Sequence, residues 1–172
     1  MKQRIAPTDK EWFLPEGETI ISKTDTKGRI TYGNGILLEI TGFSEAELLG
    51  KQHNIVRHPD MPRGVFHLLW ETVKAGEEFN GYVKNLRKDG GFYWVFANVT
   101  PSYNSRGELV GYYSVRRKPS AAALKSIQPV YQQMLAAERA ATTKEAISAS
   151  RNVLQGILET KGVSYDEFVF TL

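Results

Sequence analysis

The sequence predicts an α+β fold: a five-stranded antiparallel sheet with short helices on one face, followed by C-terminal helices. Five segments rich in Val, Ile, Thr and aromatic residues alternate apolar and polar side chains, as half-buried strands do. Glycine-containing turns follow three of them, which makes consecutive strands antiparallel neighbours. Between the second and third strands, apolar residues recur at helical spacing. After Ser120 the chain becomes rich in alanine, which favours helix.

In chain order, the first two strands are predicted at residues 19–25 and 29–34, joined by a turn with glycine at its last position. Helical spacing of apolar residues begins after Asn34 and ends at Gly42. The residues Ser-Glu-Ala-Glu at 44–47 form a capping box, which opens a short helical turn. These elements predict a hairpin followed by two short helices.

A longer helix separates this hairpin from the rest of the sheet. Apolar residues at helical spacing predict it over 64–75, and Gly76 ends it. Three alternating segments come next, joined by turns of polar residues and glycine. We expect these strands at 79–87, 92–103 and 108–118.

The predicted domain organisation has three parts, which are an N-terminal cap (1–18), a central α+β domain (19–118) and a helical C-terminal extension (119–172). The cap contains the apolar patch Trp12-Phe13-Leu14. We expect this patch to pack on the sheet or on a partner, because burial of apolar surface is favourable.

Two helices are predicted in the extension. Pro129 predicts a kink or a restart in the first, because proline lacks the N–H that an interior helical residue donates. Thr142-x-x-Glu145 is a second capping box and predicts the start of the next helix. Gly162 is its predicted C-cap.

The composition excludes several classes of function. With 41% apolar residues, the 172-residue chain can bury a core, yet no window approaches the roughly 18 consecutive apolar residues of a membrane span. We therefore expect a cytoplasmic protein without direct membrane insertion. The absence of cysteine excludes disulfides, thiolate metal sites and cysteinyl adducts with a cofactor. Basic residues such as Arg116 and Arg117 are interpreted as solvated strand ends, and no nucleic-acid partner is expected.

The loop 53–62, with the sequence His-Asn-Ile-Val-Arg-His-Pro-Asp-Met-Pro, is the most informative stretch of the chain. Two histidines, an arginine and an aspartate lie within eight positions. Two prolines stiffen the loop by fixing φ. Because the loop presents polar groups at fixed positions and contains no nucleophile, it predicts a binding site and not a catalytic one.

Several motifs within residues 19–118 point to a known family. The string Asn-x-Val-Arg-His-Pro-Asp-Met-Pro at 54–62 is highly specific. Further motifs are Thr-Gly-Phe at 41–43, Phe66 with Trp70, Gly81 to Asn85, Arg87-Lys88 with Gly90, Tyr-Trp-Val at 93–95, and Pro101. Together they resemble the PAS domain, and specifically the PAS sensor domain of bacterial aerotaxis receptors.

The resemblance implies the PAS fold and non-covalent binding of FAD in the cleft between the helices and the sheet. It implies a redox or energy-taxis sensor that is not an enzyme. The implied partner is a membrane-bound chemoreceptor or its HAMP and signalling module, with which the protein would associate from the cytoplasm, and we expect a homodimer. Because the chain ends at Leu172, it is similar to the free-standing PAS proteins of bipartite energy-taxis systems.

Eight residues are candidates for binding FAD. They are Asn34, His53, Arg57, His58, Asp60, Phe66, Trp70 and Asn85.

Each candidate in the loop has a structural alternative. Arg57 is assigned to the anionic part of FAD, and the alternative is a surface arginine paired with Asp60. His58 and Asp60 either hold each other and the loop, or hydrogen-bond the ribose and adenine. His53 is either a helix-capping histidine or a neighbour of the flavin.

Two asparagines are the polar candidates outside the loop. Asn85 shares a strand face with Gly81 and Val83, so its amide is expected to face the core. A buried amide needs partners, which the flavin edge would supply, and the alternative is a side chain that ties two strands together. Asn34 either contacts the cofactor or caps the helix that follows it.

The aromatic candidates lie on one helix face. Phe66 and Trp70 are four residues apart, which suits plain core packing as well as a cofactor wall. On the strand 92–103, Trp94 and Phe96 are expected to project from the outer side of the sheet. There they would form a partner surface or a seat for the N-terminal patch.

Other functions remain open from the sequence. A haem-binding gas sensor and a PAS dimerisation module without cofactor are the main alternatives. A flavoenzyme is disfavoured because no general base or nicotinamide fingerprint is evident. A light sensor that forms a flavin–cysteine bond is excluded by the composition.

Overall fold

The computed structural model describes residues 5–172, and its centre is a five-stranded antiparallel sheet with the strand order β2-β1-β5-β4-β3. The strands are β1 (Ile20–Thr24), β2 (Ile30–Gly33), β3 (Phe79–Leu86), β4 (Phe92–Tyr103) and β5 (Leu109–Arg117). The predicted fold class is confirmed, and each strand lies within one residue of its predicted bounds.

The helices are α1 (Gly35–Thr41), α2 (Glu45–Leu48), a short 3₁₀ helix (His53–Val56), α3 (Arg63–Lys74), α4 (Ala121–Ala140), α5 (Ala146–Lys161) and α6 (Tyr165–Phe170). Local signals set the ends of the first two. Gly42 ends α1 in the left-handed conformation with φ 71°, which glycine adopts without strain. The predicted capping box opens α2, because the backbone N–H of Ser44 donates to Glu47 over 2.9 Å.

The N-terminal segment runs beside the turn that joins β3 and β4. The Trp12 N–H donates to the Phe92 carbonyl over 2.7 Å, so the segment extends the hairpin by backbone pairing. Gly90 has φ +90°, and an added Cβ would lie 2.4 Å from the Ala6 carbonyl oxygen. Leu14 is fully buried. Trp12 and Phe13 are 36% and 67% exposed, so only Leu14 of the predicted apolar patch is buried in the core.

The C-terminal helices pack on the outer face of the sheet at β3 and β4. Tyr131 of α4 stacks on Trp94 with ring centroids 6.3 Å apart, and its hydroxyl donates to the Tyr82 carbonyl over 2.7 Å. Phe170 of α6 meets Phe96 edge to face at 5.8 Å. The outer aromatic pair was expected to face a partner or the N-terminal patch. That expectation is wrong, because the extension of the same chain folds back onto it.

Two expectations about these helices also need correction. Helix α4 continues through Pro129, so the alternative of a restart is wrong, and the alternative of a kink stays a prediction. The second capping box does not form, because Thr142 Oγ1 donates to the Glu145 carboxylate over 2.7 Å, whereas in a capping box it would accept from the Glu145 backbone N–H. These two residues close a turn instead, and α5 begins only after it. Gly162 ends α5 at φ 66°, as predicted.

No helix within residues 5–172 has both the length and the apolar character needed to cross a bilayer. The division of the chain at residues 18 and 118 stays a prediction.

Candidate functional site

A cavity of about 190 Å³ lies between the sheet and α3. Five of the eight predicted residues line it, which are His53, Arg57, Phe66, Trp70 and Asn85. They come from three separate elements, so the fold brings together side chains that are distant in sequence. The cavity is therefore the candidate site.

The apolar walls of the cavity follow from helix and strand periodicity. Phe66 and Trp70 lie one turn apart on α3 and face the sheet. Opposite them, Val83, Ala97 and Val99 project from β3 and β4, on the strand faces predicted to line the cleft. Two apolar surfaces facing each other across a narrow space suit a flat, largely apolar ring.

Arg57 lies on the cavity wall, next to α3. Its backbone pairs with Asn85 of β3, and its guanidinium carbon lies 4.2 Å from the centroid of the Phe66 ring. Burial lowers the pKa of Arg57 from its ordinary value, although a nearby glutamate opposes the effect. Asp60 is not its partner, since that carboxylate pairs with Lys84 at 2.9 Å.

His58 and Asp60 do not line the cavity. The Asp60 N–H donates to His58 Nδ1 over 3.1 Å, and the buried imidazole packs edge to face on Phe92. Burial, and then the charge of Lys84, lower the pKa of His58 to about 4, so the ring is neutral at physiological pH. These residues hold each other and the loop, and their contact with FAD stays a prediction.

Asn34 also lies outside the cavity lining, at the start of α1. Its side-chain oxygen accepts from the N–H groups of Leu37 (3.2 Å) and Ile21 (3.1 Å). Its amide nitrogen donates to the Thr19 carbonyl over 2.8 Å. The side chain thus caps the helix and ties it to β1, which was the alternative considered for it. Contact of Asn34 with FAD remains a prediction.

Asn85 presents its amide to the cavity while being only 5% exposed. Within residues 5–172 we find no hydrogen-bond partner for this side chain. Its amide atoms are not among the fully buried unpaired atoms of the described residues, so they keep accessible surface in the cavity. The amide is therefore available to a ligand that offers both a donor and an acceptor.

Arg116 is the residue of the site that the sequence analysis missed. It was interpreted as a solvated strand end, and this is wrong, because its side chain is 7% exposed and lines the cavity. Its guanidinium donates to Ser22 Oγ over 3.0 Å and to His53 Nε2 over 2.7 Å. Strand alternation could have found it, since Tyr112 and Ser114 share its face of β5.

The partners of Arg116 leave its charge uncompensated. Ser22 is neutral, and burial and the charge of Arg116 lower the pKa of His53 to about 3, so this imidazole is neutral too. Among the ion pairs of residues 5–172, none involves Arg116. A buried cation without a counter-charge costs folding free energy and favours a ligand with an electron-rich polar edge.

Two hydroxyl groups on the same wall also lack partners. The oxygens Thr24 Oγ1 and Ser114 Oγ are buried and make no hydrogen bond with any residue that the structure describes. Beside them, the guanidinium of Arg116 and the amide of Asn85 provide donors and an acceptor between apolar walls. Such a set fits a planar heteroaromatic group with a polar edge, as the isoalloxazine ring of a flavin is.

Comparison with known proteins identifies the family. The PAS fold family matches residues 30–116, which is about half of the chain. The chain belongs to the PAS family.

Two curated relatives match stretches of this chain that are longer than the family match. The aerotaxis receptor of Escherichia coli (strain K12) is 35% identical over 155 residues, which are 90% of this chain and 28% of the receptor. The nitrogen fixation regulatory protein of Klebsiella pneumoniae is 32% identical over 105 residues, or 61% of this chain and 21% of that protein. The predicted resemblance to aerotaxis-receptor PAS domains is confirmed, and the chain spans about a quarter of these relatives.

Solved structures agree on the fold. The dark structure of the blue-light photoreceptor Aureochrome1 LOV is 23% identical with a TM-score of 0.57, covering 68% of this chain and 84% of that one. A light-oxygen-voltage domain studied with a flavin analogue is 22% identical with a TM-score of 0.57, covering 67% of this chain and 86% of that one. At this identity the likeness concerns the fold alone.

Proposed function

We propose that this PAS domain binds FAD non-covalently in the cavity and acts as a redox sensor for energy taxis. The observation that carries the proposal is Arg116, a buried cation with neutral partners that faces a cavity with apolar walls. Retaining such a charge costs stability, which a ligand with an electron-rich edge would offset. The likeness to the E. coli aerotaxis receptor supports the same function.

The residues present suit the different parts of FAD. Phe66 and Trp70, facing the valines of the sheet, would hold the faces of the ring. Asn85 and Arg116 would hydrogen-bond its polar edge, since an amide both donates and accepts and a guanidinium donates. Arg57 would hold the pyrophosphate, because guanidinium binds phosphate oxygens in a bidentate manner. A bound flavin would supply a group that accepts and returns electrons.

Signalling would follow from the side chain of Asn85. An amide reverses its donor and acceptor ends by rotation, so it can follow a change in the hydrogen-bonding edge of a ligand. Asn85 lies on β3, whose outer face packs against the C-terminal helices. A rotation there would shift the population of two arrangements of β3 and of the helices on it.

The signal would pass to a membrane-bound chemoreceptor or its HAMP and signalling module. The protein would act from the cytoplasm as a homodimer, as a sensor and not as an enzyme.

The proposal is tested by the visible spectrum of freshly purified protein, before and after addition of FAD. We expect the absorption bands of an oxidised flavin, which a chemical reductant should bleach reversibly. Protein that takes up no flavin, even after supplementation, would contradict the proposal. A Soret band would favour the haem alternative, which the geometry disfavours because Arg116 already donates to Nε2 of His53.

Asn85→Ala tests the signalling step. The substitution should weaken flavin binding about 3- to 10-fold, because it removes one or two ordinary hydrogen bonds. It should also abolish the difference in amide exchange of β3 between the oxidised and reduced protein. Asn80→Ala is the matched control, since Asn80 lies on the same strand and bonds Asn98 on the opposite face. A redox difference that persists in the loaded Asn85→Ala protein would remove Asn85 from the mechanism.

A further inference from the structure

The N-terminus of α3 is capped by a residue from a different helix. The N-cap position is Pro62, which offers no side-chain hydrogen bond. Instead, Glu138 in the last turn of α4 accepts from the Gly64 N–H over 3.1 Å. A carboxylate is favourable at this end of a helix, because the unpaired N–H groups and the helix dipole are positive there. Glu138 thus joins α4 to the helix that forms one wall of the cavity.

The same carboxylate acts on the cation assigned to phosphate. Glu138 opposes the effect of burial on Arg57 by raising the pKa of its guanidinium, whereas Arg63 lowers it. Arg57 stacks on Phe66, two residues after Gly64, where Glu138 contacts α3. An anion that enters the cavity and binds Arg57 would therefore meet the negative charge of Glu138.

The remainder of the C-terminal extension links this contact to the outer surface. Helix α4 also holds the edge strand, through the hydrogen bond from Tyr131 to the Tyr82 carbonyl. Helix α5 touches α3 at Gly64, where an added Cβ would lie 2.6 Å from Ser150 Oγ. One short region of α3 is therefore in contact with both α4 and α5. A change there would reach the outer face without passing through the sheet.

We infer that Glu138 is the positioning residue through which the C-terminal helices respond to an anionic ligand in the cavity. A phosphate-bearing ligand bound by Arg57 competes with the Glu138 carboxylate and loosens the last turn of α4 from α3. By linkage, the contact of Glu138 with α3 weakens ligand binding by the same free energy by which the ligand weakens that contact. The inference rests on the proposed function for the identity of the ligand, and it adds a second route from the cavity to the extension.

The contact is tested first in the ligand-free protein. Glu138→Gln keeps an oxygen for the Gly64 N–H but removes the charge. Amide exchange in the last turn of α4 and the first turn of α3 should rise about 3- to 10-fold, as expected for losing a charge at a helix terminus beside a cation. Glu159→Gln, an exposed carboxylate on α5, is the matched control and should change neither region. Unchanged exchange in Glu138→Gln would show that Glu138 does not hold α4.

The competition is tested by comparing FAD with riboflavin, which carries the same ring without phosphate. In Glu138→Gln, the affinity for FAD relative to riboflavin should rise about 3- to 10-fold, because one unfavourable charge pair is removed. If Glu138 only caps the helix and has no electrostatic role, Glu138→Gln should weaken the binding of FAD and of riboflavin equally. If FAD binds and the ratio stays at its wild-type value, the inference fails and the proposed function stands. If the wild type takes up neither flavin, the proposed function fails and the competition with it.

Discussion

Replacing Arg116 by methionine should stabilise the ligand-free protein and at the same time weaken flavin binding. In the empty cavity the guanidinium has lost its hydration and gained only His53 and Ser22 as neutral partners. A methionine of similar length buries no charge, so the free energy of unfolding should rise by about 1–3 kcal/mol. Flavin affinity should fall about 10- to 100-fold, because a charged hydrogen-bond donor is lost.

The two effects of opposite sign separate a binding role from a structural one. Urea unfolding without flavin gives the stability, and titration with FAD gives the affinity. After the substitution, the Ser22 hydroxyl lies 3.1 Å from His53 Nε2 and can donate to it, so that nitrogen keeps a partner. Arg117→Met, which changes the exposed neighbour, should leave both quantities unchanged. A marked loss of stability in Arg116→Met would mean that Arg116 holds the fold and not a ligand.

Mild acid should unfold this protein before its carboxylates titrate. The pKa values of His53 and His58 are lowered from the ordinary 6.5 to about 3 and about 4, in both cases mainly by burial. Between these values and pH 6.5, the unfolded chain binds two protons that the folded protein excludes. The free energy of unfolding should therefore decrease by about 2–3 kcal/mol for each pH unit from 6.5 down to about 4.

The sign follows from the direction of the two shifts. A histidine with a lowered folded-state pKa leaves the free energy of unfolding unchanged above pH 6.5, where both states are neutral, and decreases it below pH 6.5, where only the unfolded chain is protonated. Urea unfolding at several pH values measures the slope. His58→Gln should reduce the slope by about half, because one of the two protons is removed. His67→Gln, which changes an exposed histidine on α3, is the control. A stability that stays constant from pH 7 to pH 5 would contradict the burial of both rings.

The outcome for individual residues shows how far local patterns extend. Alternation along β3 predicted that Asn85 faces the cleft, and helical spacing predicted that Phe66 and Trp70 share a face. Arg116 obeys the same alternation, yet its charge suggested solvent, since arginines are seldom buried. Arg116 was interpreted as exposed because most arginines are. A site that holds a polar ligand is an exception, since it can bury a charged side chain.

The amino-acid order by itself determined the five strands, helices α1 to α3, the α+β architecture and the loop that carries His53 and Arg57. The periodicity of apolar residues and the residue preferences of turns are properties of residues close in sequence, so both can be recognised along the chain. Only the tertiary structure decided that the extension covers Trp94, that Glu138 caps a helix 74 residues away, and that Arg116 lies inside. These contacts depend on which apolar surfaces fit each other in space, and no local pattern records that fit.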